Sequence, residues 1–460
     1  MFEKMLKWLK NLLDRMFDES GTSDIALSDR MSTAINLWAS MYETGGPWVS
    51  ECLHSMQLPG VIAEEFARLV TIESEIDISG SPRADFINLT LEPFFDKLRN
   101  YVELGCALGG IVFKPYVSDD KIIIDTVQGD CFYPTQFDSS NRMTGAIFIE
   151  QIHRKGFIYT RTEYHNYQNG THQIKNRAFK SKSSFSLGEE IALTDVPEWE
   201  QIAPELTINY CDRPLFGYFK IPSANKTDRH SPLGVSVYSK SINTIKNADE
   251  QYGRFLWEFE GGELAVDVAE DLLEHQPDGS VKVPKAQERL YRKRTVPTKD
   301  QNFYEVFSPT LRDESLSRGL DRILKLIEFQ CGLAYGTISD PQTVDKTATE
   351  VISSKQRSYV TVKDIQKALE TAIDDLAYAV DKLAEIYQLA PAGNYKIAYD
   401  WDDSIVNDPA LRKQMFWQYV TAGKFPFWKY LVEFEGYSEK DAKAIAAEQQ
   451  SSLKMFPEEE

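Results

Sequence analysis

No run of eighteen uncharged apolar residues occurs in this 460-residue chain, so a membrane-spanning helix is not expected. The opening MFEKMLKWLKNLLDRMF interleaves charges with its apolar residues and lacks the continuous apolar core of a signal peptide. Cysteine is scarce and scattered. Cys52, Cys106, Cys131, Cys211 and Cys331 are odd in number and never form a CxxC pair, which argues against a disulfide framework or a zinc ribbon and fits a reducing cytoplasm. Positive charge is in deficit: 51 basic against 70 acidic residues leave a formal charge of -19. A surface that neutralises many DNA phosphates is therefore excluded as a description of the whole molecule, and any contact with DNA should be loose. Catalytic signatures are missing too, among them GxxxxGK[ST] for nucleotide phosphates, a GxSxG elbow and HExxH. His54, His153, His165, His172, His230 and His275 lie in unrelated segments without metal-ligand spacing, and none is expected to be catalytic. No enzyme activity, cofactor or metal is expected.

What is present is a 42% hydrophobic chain, long enough to bury a core and to hold two to four compact units. Phe2, Met5, Leu6, Leu9, Leu12, Leu13, Met16 and Phe17 recur at helical spacing opposite Lys4, Lys7, Lys10 and Arg15. This amphipathic helix is expected to dock on the rest of the protein or a neighbouring subunit; lying on a membrane is the other reading. DESGTSD follows as a linker. From Met31 to Phe113 the pattern is helical, with Ile62, Phe66, Leu69 and Val70 on one face of LPGVIAEEFARLVTIESEIDI and a second amphipathic stretch from Leu91 to Leu108. The period then becomes that of strands, so residues from about Ile111 to Tyr218 are expected to form a mostly antiparallel β region. The lysine- and serine-containing loop near Lys180 to Ser186 reads as exposed.

Helices return at Leu233, introduced by Ser231 and Pro232, with Tyr238, Ile242, Ile245, Tyr252, Phe255, Leu256 and Phe259 at a period near 3.6. A second helix places Leu316, Leu320, Ile323, Leu324, Ile327 and Cys331 on one face, and about fifty residues of short mixed elements lie between the two. A third runs from Thr347 to Gln388, opened by the capping-box spacing of Thr347 and Glu350 and closed by Pro391 and Gly393. At about 1.5 Å per residue it would span roughly 63 Å, with Val360 to Val362 a weak spot for a bend. The chain ends with a short strand, YKIAYDW, and helical segments split by GKFPFW and EGYSEKDA, where Ser438 and Asp441 form a cap signature.

Two features could carry chemistry or recognition. Asp400, Asp402 and Asp403 resemble a carboxylate metal site of the kind a two-metal nuclease needs, but at a strand end leading into a helix they also read as ordinary caps. Between Lys282 and Lys299 seven basic residues (Lys282, Lys285, Arg289, Arg292, Lys293, Arg294, Lys299) face one acidic residue, Glu288, a net of +6 against the acidic background. That stretch is a candidate dock for nucleic acid or an acidic protein, and a solvated loop is the bland alternative.

The order of parts resembles the portal protein of long-tailed double-stranded DNA bacteriophages, particularly the branch infecting Gram-positive bacteria. The resemblance rests on YTRTEYHNYQNGTHQIKNRAF, LPGVIAEEFARLV, TATEV at the start of the long helix and YDWDDSIVND before the terminal helices, in that family's order, and covers about Met31 to Glu448. It implies an α+β portal fold: arm and wing at 1–232, stem helices at 233–258 and 310–333, a clip at 259–309, a tunnel loop at 334–346, a long wing helix at 347–393 and a small helical crown at 394–460. It implies a ring, usually of twelve copies, at one capsid vertex of the virion, assembled in the host cytoplasm, through which DNA is packaged and ejected. Partners would be the terminase large subunit, then the head-tail adaptor, with the major capsid and scaffold proteins around the ring and double-stranded DNA held weakly and non-specifically in the channel; no membrane contact is expected. Clip docking would fall to Lys285, Arg289, Arg292, Lys293 and Arg294. The tunnel loop would present Ser339, Asp340, Gln342, Thr343, Asp345 and Lys346, and Tyr238, Ile242, Ile245, Leu320, Ile323 and Ile327 would pack the stem. Lys346 is the only cation in AYGTISDPQTVDK, so a ring of channel lysines is not assigned. A net negative channel would repel phosphates and let DNA slide. Competing readings are another phage head structural or adaptor protein without a channel role, and a nucleic-acid enzyme using Asp400, Asp402 and Asp403.

Overall fold

The computed structural model describes residues 25–401 and 409–453, apart from residues 73, 119, 184–187, 270–290, 295–303, 341–347 and 423. The amphipathic segment at the start of the chain, the loop at 184–186, Thr347 of the capping box, and Asp402 and Asp403 lie outside the described residues.

Helix α1 (Asp29–Thr44) begins at Ser28, whose hydroxyl accepts the Met31 amide, and stops at Gly45 in the left-handed region. Helix α2 (Leu58–Val70) has Pro59 in its first turn, where the missing N–H costs nothing, and buries Ile62, Ala63, Phe66, Ala67 and Val70. The helical pattern expected to continue through TIESEIDI ends there. Glu75–Ser79 is strand β1, and its spacing of Ile76 and Ile78 is the strand period, which a window dominated by the preceding helix hides. The stretch expected as one helix from Leu91 is two: α3 (Pro82–Phe95), with Pro93 in its last turn, and α4 (Leu98–Leu108).

Strands follow as expected: β2 (Gly110–Ser118), β3 (Lys121–Gln128), β4 (Phe132–Phe137), β5 (Met143–Arg154), β6 (Phe157–Gln168), β7 (Thr171–Ser181), β8 (Glu189–Ile191), β9 (Glu205–Asn209) and β10 (Gly217–Lys220). They form two antiparallel sheets, one in the order β10-β2-β3 and one in the order β4-β5-β6-β7-β8, with β9 also paired to β7. The β6–β7 turn is Asn169–Gly170, both at positive φ, the two-residue hairpin whose twist matches its strands.

The helix expected from Leu233 starts later, as α5 (Ile242–Gly261). Residues 233–238 are all buried but not helical: the segment runs into a turn, in which the Ser239 amide donates to the Ser236 carbonyl and the Ser241 amide to the Tyr238 carbonyl. Gly234 also passes so close to the main chain that a Cβ there would lie 2.0 Å from the Gly109 carbonyl oxygen. Tyr238 therefore precedes the helix instead of riding on it. After β11 (Ala265–Ala269), β12 (Tyr291–Arg294) and β13 (Tyr304–Phe307) comes α6 (Asp313–Cys331), then α7 (Ala348–Ile386), a single helix of 39 residues spanning roughly 58 Å. Strand β14 (Lys396–Asp400) pairs antiparallel with β1, setting Ile397 opposite Ile78. Three helices end the described chain: α8 (Pro409–Thr421), α9 (Phe427–Glu435) and α10 (Glu439–Leu453), the last opened by Ser438, which accepts the Asp441 amide.

Helix α7 organises the core. Its stripe of Ile365, Leu369, Ala372, Ile373, Leu376 and Val380 is buried against the β10-β2-β3 sheet and against α2 and α3. The approach is tight because β10 begins with glycine: a Cβ on Gly217 would lie 2.2 Å from the Ala372 carbonyl oxygen. Arg83, buried at the start of α3, ties down the other end of α7 by donating to the carbonyls of Asp381 and Pro391.

Candidate functional site

Helices α5 and α6 form an antiparallel hairpin: Ser241 meets Cys331 at 3.0 Å at one end, and at the other the Arg312 guanidinium and backbone amide both donate to Glu258. The Ser241 end is rooted in the core. Tyr238 donates its hydroxyl to the Trp38 carbonyl at 3.0 Å, and Ile245 and Ile327 are fully buried. Asp249, fully buried on α5, accepts from Trp48 Nε1 and from the Met56 amide, each at 2.8 Å, and from Ser55 Oγ at 3.3 Å. A buried carboxylate satisfied by three donors fixes α5 to the loop between α1 and α2. Away from this root the hairpin has little cover from its own chain. Trp257 is 69% exposed and Phe259 is exposed there, and nearer the root Leu326 and Phe329 also present exposed side chains on α6.

At its far end the hairpin carries a sheet in the order β12-β11-β13, with β12 parallel and β13 antiparallel to β11. Of the five basic docking candidates, Arg292, Lys293 and Arg294 lie on β12, in register with Asp267, Val268 and Ala269 of β11; Lys285 and Arg289 lie outside the described residues. Val306 and Phe307 of β13 and the preceding Leu264 are exposed.

The segment after α6 reverses at Gly332, φ 88°. Ser339 is buried and Asp340 exposed. Both are held by α6: Glu328 accepts the Ser339 amide and hydroxyl, and Asp321 accepts the Asp340 amide. Gln342, Thr343, Asp345 and Lys346 lie outside the described residues. Of the six packing candidates, Tyr238, Ile245 and Ile327 are buried, and Ile242, Leu320 and Ile323 pack partly buried against the main core. A cavity of about 350 Å³ opens beside the C-terminal turn of α6, lined by Lys240, Phe329, Gln330, Arg357, Asp364 and neighbours. Arg357 lies over the Phe329 ring at 4.1 Å and donates to its carbonyl.

The histidines expected to be unrelated are not all so. His165 Nδ1 and His172 Nε2 are 2.9 Å apart, and His165 Nε2 is 2.7 Å from Glu163 Oε1, all within the six-stranded sheet. Glu163 also pairs with Lys114 of β2 and with Arg161, and Arg161 reaches Glu150. Burial would raise the Glu163 carboxyl, but Lys114, His165 and Arg161 together hold it well below the usual carboxylate range. Burial lowers both imidazoles, His172 strongly and His165 less because Glu163 opposes the shift. The result is a neutral histidine pair beside a buried, fully paired carboxylate. Counting outward from the Asn169–Gly170 turn sets Tyr167 opposite His172 and His165 opposite Ile174, so the two imidazoles are diagonal neighbours on one face; that hairpin signal was enough to find them. Asp400 stands on β14 opposite Glu75, and among the described residues no group of three His, Cys, Asp or Glu side chains is placed to hold a metal ion. No helix among them is long and apolar enough to cross a membrane.

Comparison with known proteins yields one family profile, described as Phage portal protein, SPP1 Gp6-like, matching residues 78–455. A search of curated proteins found no significant match. Among solved structures the chain is similar to one titled the neck of a native GTA particle computed with C12 symmetry, at 11% identity and a TM-score of 0.36, covering 87% of this chain and 98% of that one.

Proposed function

The chain belongs to the SPP1 Gp6-like phage portal protein family, a structural family of the virion with an α+β fold, and from that premise we propose that it forms a ring-shaped channel, of about twelve copies, at one capsid vertex. In this reading residues 1–232 are arm and wing, 233–258 and 310–333 the stem, 259–309 the clip, 334–346 the tunnel loop, 347–393 the long wing helix and 394–460 the crown. The clip docks the terminase large subunit during packaging and the head-tail adaptor afterwards, and the major capsid and scaffold proteins surround the ring. Assignment to phages of Gram-positive bacteria rests on the order of the four sequence motifs.

The observation that carries the reading is the asymmetry of the hairpin. Its root is fixed by Tyr238, Asp249, Ile245 and Ile327, while Trp257 and Phe259 toward the far end are exposed, as are Leu326 and Phe329 on the outer side of α6. Covering each such side chain is worth about 1.5–3 kcal/mol, enough in several copies for neighbours in a ring to hold one another. The charge of -19 suits a channel that lets DNA slide, because few counterions are displaced where few phosphates are bound. The basic residues of β12 belong to the sheet that follows α5 at the far end of the hairpin, and an acidic face of a motor or adaptor would meet them there.

Negative-stain electron microscopy with native mass measurement tests the proposal. Rings with a central hole, near twelve times 52.6 kDa, are the expected result. A folded monomer that stays monomeric inside assembled procapsids would overturn it.

A further inference from the structure

Glu328 stands in the C-terminal turn of α6, where the helix dipole disfavours a carboxylate, and it is fully buried. No Lys or Arg among the described residues forms an ion pair with it. Its compensation comes from one short segment: Oε1 accepts the amides of Gly336 at 3.1 Å, Ile338 at 2.7 Å and Ser339 at 2.9 Å, and Oε2 accepts the Ser339 hydroxyl at 2.9 Å. Seven residues earlier, on the same face of α6, Asp321 Oδ1 accepts the Asp340 amide at 3.1 Å, while its other oxygen takes Lys325 Nζ at 2.7 Å. The start of the segment is fixed separately, because the Ala334 amide donates to the buried Ser358 hydroxyl of α7 at 2.6 Å. After the turn at Gly332 the chain thus doubles back along α6, tied at Glu328 and again about 10 Å along the axis at Asp321.

Burying an unpaired carboxylate for packing alone is unfavourable, and an apolar residue of similar size would pack as well or better. A carboxylate does what an apolar residue cannot. It gathers three backbone amides, so it dictates the main-chain path of 336–339 whatever the side chains there.

We propose that Glu328, with Asp321 as a second tie, is the positioning residue of the channel loop, setting the path of residues 336–340 on the stem so that the loop is presented to DNA in the same way by every subunit. The inference rests on the portal reading above, which makes 334–346 the tunnel loop.

The test compares E328Q, S339A and S339T with wild type in full-length protein. Three readouts are taken: ring formation by electron microscopy, hydrogen exchange of the 336–339 amides, and nuclease-resistant DNA in particles of a portal-deficient phage complemented with each variant. In E328Q the side chain keeps its shape but loses its negative charge and one of its two acceptor oxygens, so the bonds from the buried amides are no longer charge-assisted. Rings are expected to persist, protection at 336–339 to fall about tenfold or more while Ile323–Ile327 stay protected, and packaged DNA to fall several-fold. S339A, which loses one donor, is expected to show a smaller loss of both, and S339T, which keeps the hydroxyl, to behave as wild type. If E328Q prevents ring assembly, the S339A and S339T pair decides. Unchanged protection in E328Q and S339A, or lost protection with normal packaging, overturns the inference. A wild type that stays monomeric even inside assembled procapsids overturns the portal reading instead, and the exchange data still show whether Glu328 holds the loop.

Discussion

Helix α2 buries seven of its thirteen residues and α5 only three of its twenty, although both are amphipathic. The difference lies in what covers them. Helix α2 is packed by α4 and α7 of its own chain, whereas α5 is covered by α6 and, at its root, by the loop between α1 and α2. The N-terminal α/β block therefore completes its own core, and even its charges are satisfied internally, as in the Lys114–Glu163–His165 chain. The hairpin is completed only at the end where it joins that block. A stripe at helical spacing thus means different things in the two regions: core in one, a face awaiting a neighbour in the other.

That contrast is broken most forcefully at the buried ion pair. Replacing Lys114 with Ala leaves Glu163 with only Arg161 and His165 in a buried setting, and is expected to destabilise the chain by about 3–5 kcal/mol in denaturant titration. Asp249→Ala attacks the root of the hairpin. It strands Trp48 Nε1 and the Met56 amide and should cost about 2–4 kcal/mol, measured in the same way.

Acid probes the buried charges of the N-terminal block. His165 and His172 are held below their usual value in the folded chain, so the unfolded chain binds more protons once pH falls below about 6.5, and stability is lost from there downward. Glu163, depressed when folded, adds a further loss as pH falls below about 4.3 and its unfolded carboxyl takes up a proton. His172→Phe should flatten the first part of this decline in melting temperature between pH 6.5 and 5. An unchanged slope would show that other groups govern acid sensitivity.

On the hairpin the expectation reverses. Trp257→Asp should move the stability of a single chain by less than about 0.5 kcal/mol, since Trp257 is largely exposed, yet should abolish rings in electron microscopy. The smallest effect on both stability and assembly is expected from charge reversal of Arg292, Lys293 and Arg294 to Glu. Rings should remain while docking of the motor or adaptor, measured by pull-down, is lost; normal docking would count against the clip assignment.

Much of this was legible without a structure. The long helix, the β region and the Ser438 cap each depend on residues within a few positions of one another, and periodicity or cap chemistry records them directly. Local patterns misled where they overlapped: the β1 alternation was hidden behind α2, and the apolar run from Leu233 to Tyr238 was joined to α5 although it is a buried non-helical segment ending in a turn.

What only tertiary structure decided are the pairings between distant segments. Ile78 meets Ile397 across roughly three hundred residues, Asp249 meets Trp48, and Lys114 closes the histidine chain from a different sheet. Nothing near Glu328 in the sequence distinguishes it from a solvated helix carboxylate; its role exists only because Gly332 turns the chain back and brings three amides to one side chain. Helix and strand periods are written by neighbours along the chain. Which buried charge meets which donor is written by packing, and appears only once the elements are brought together.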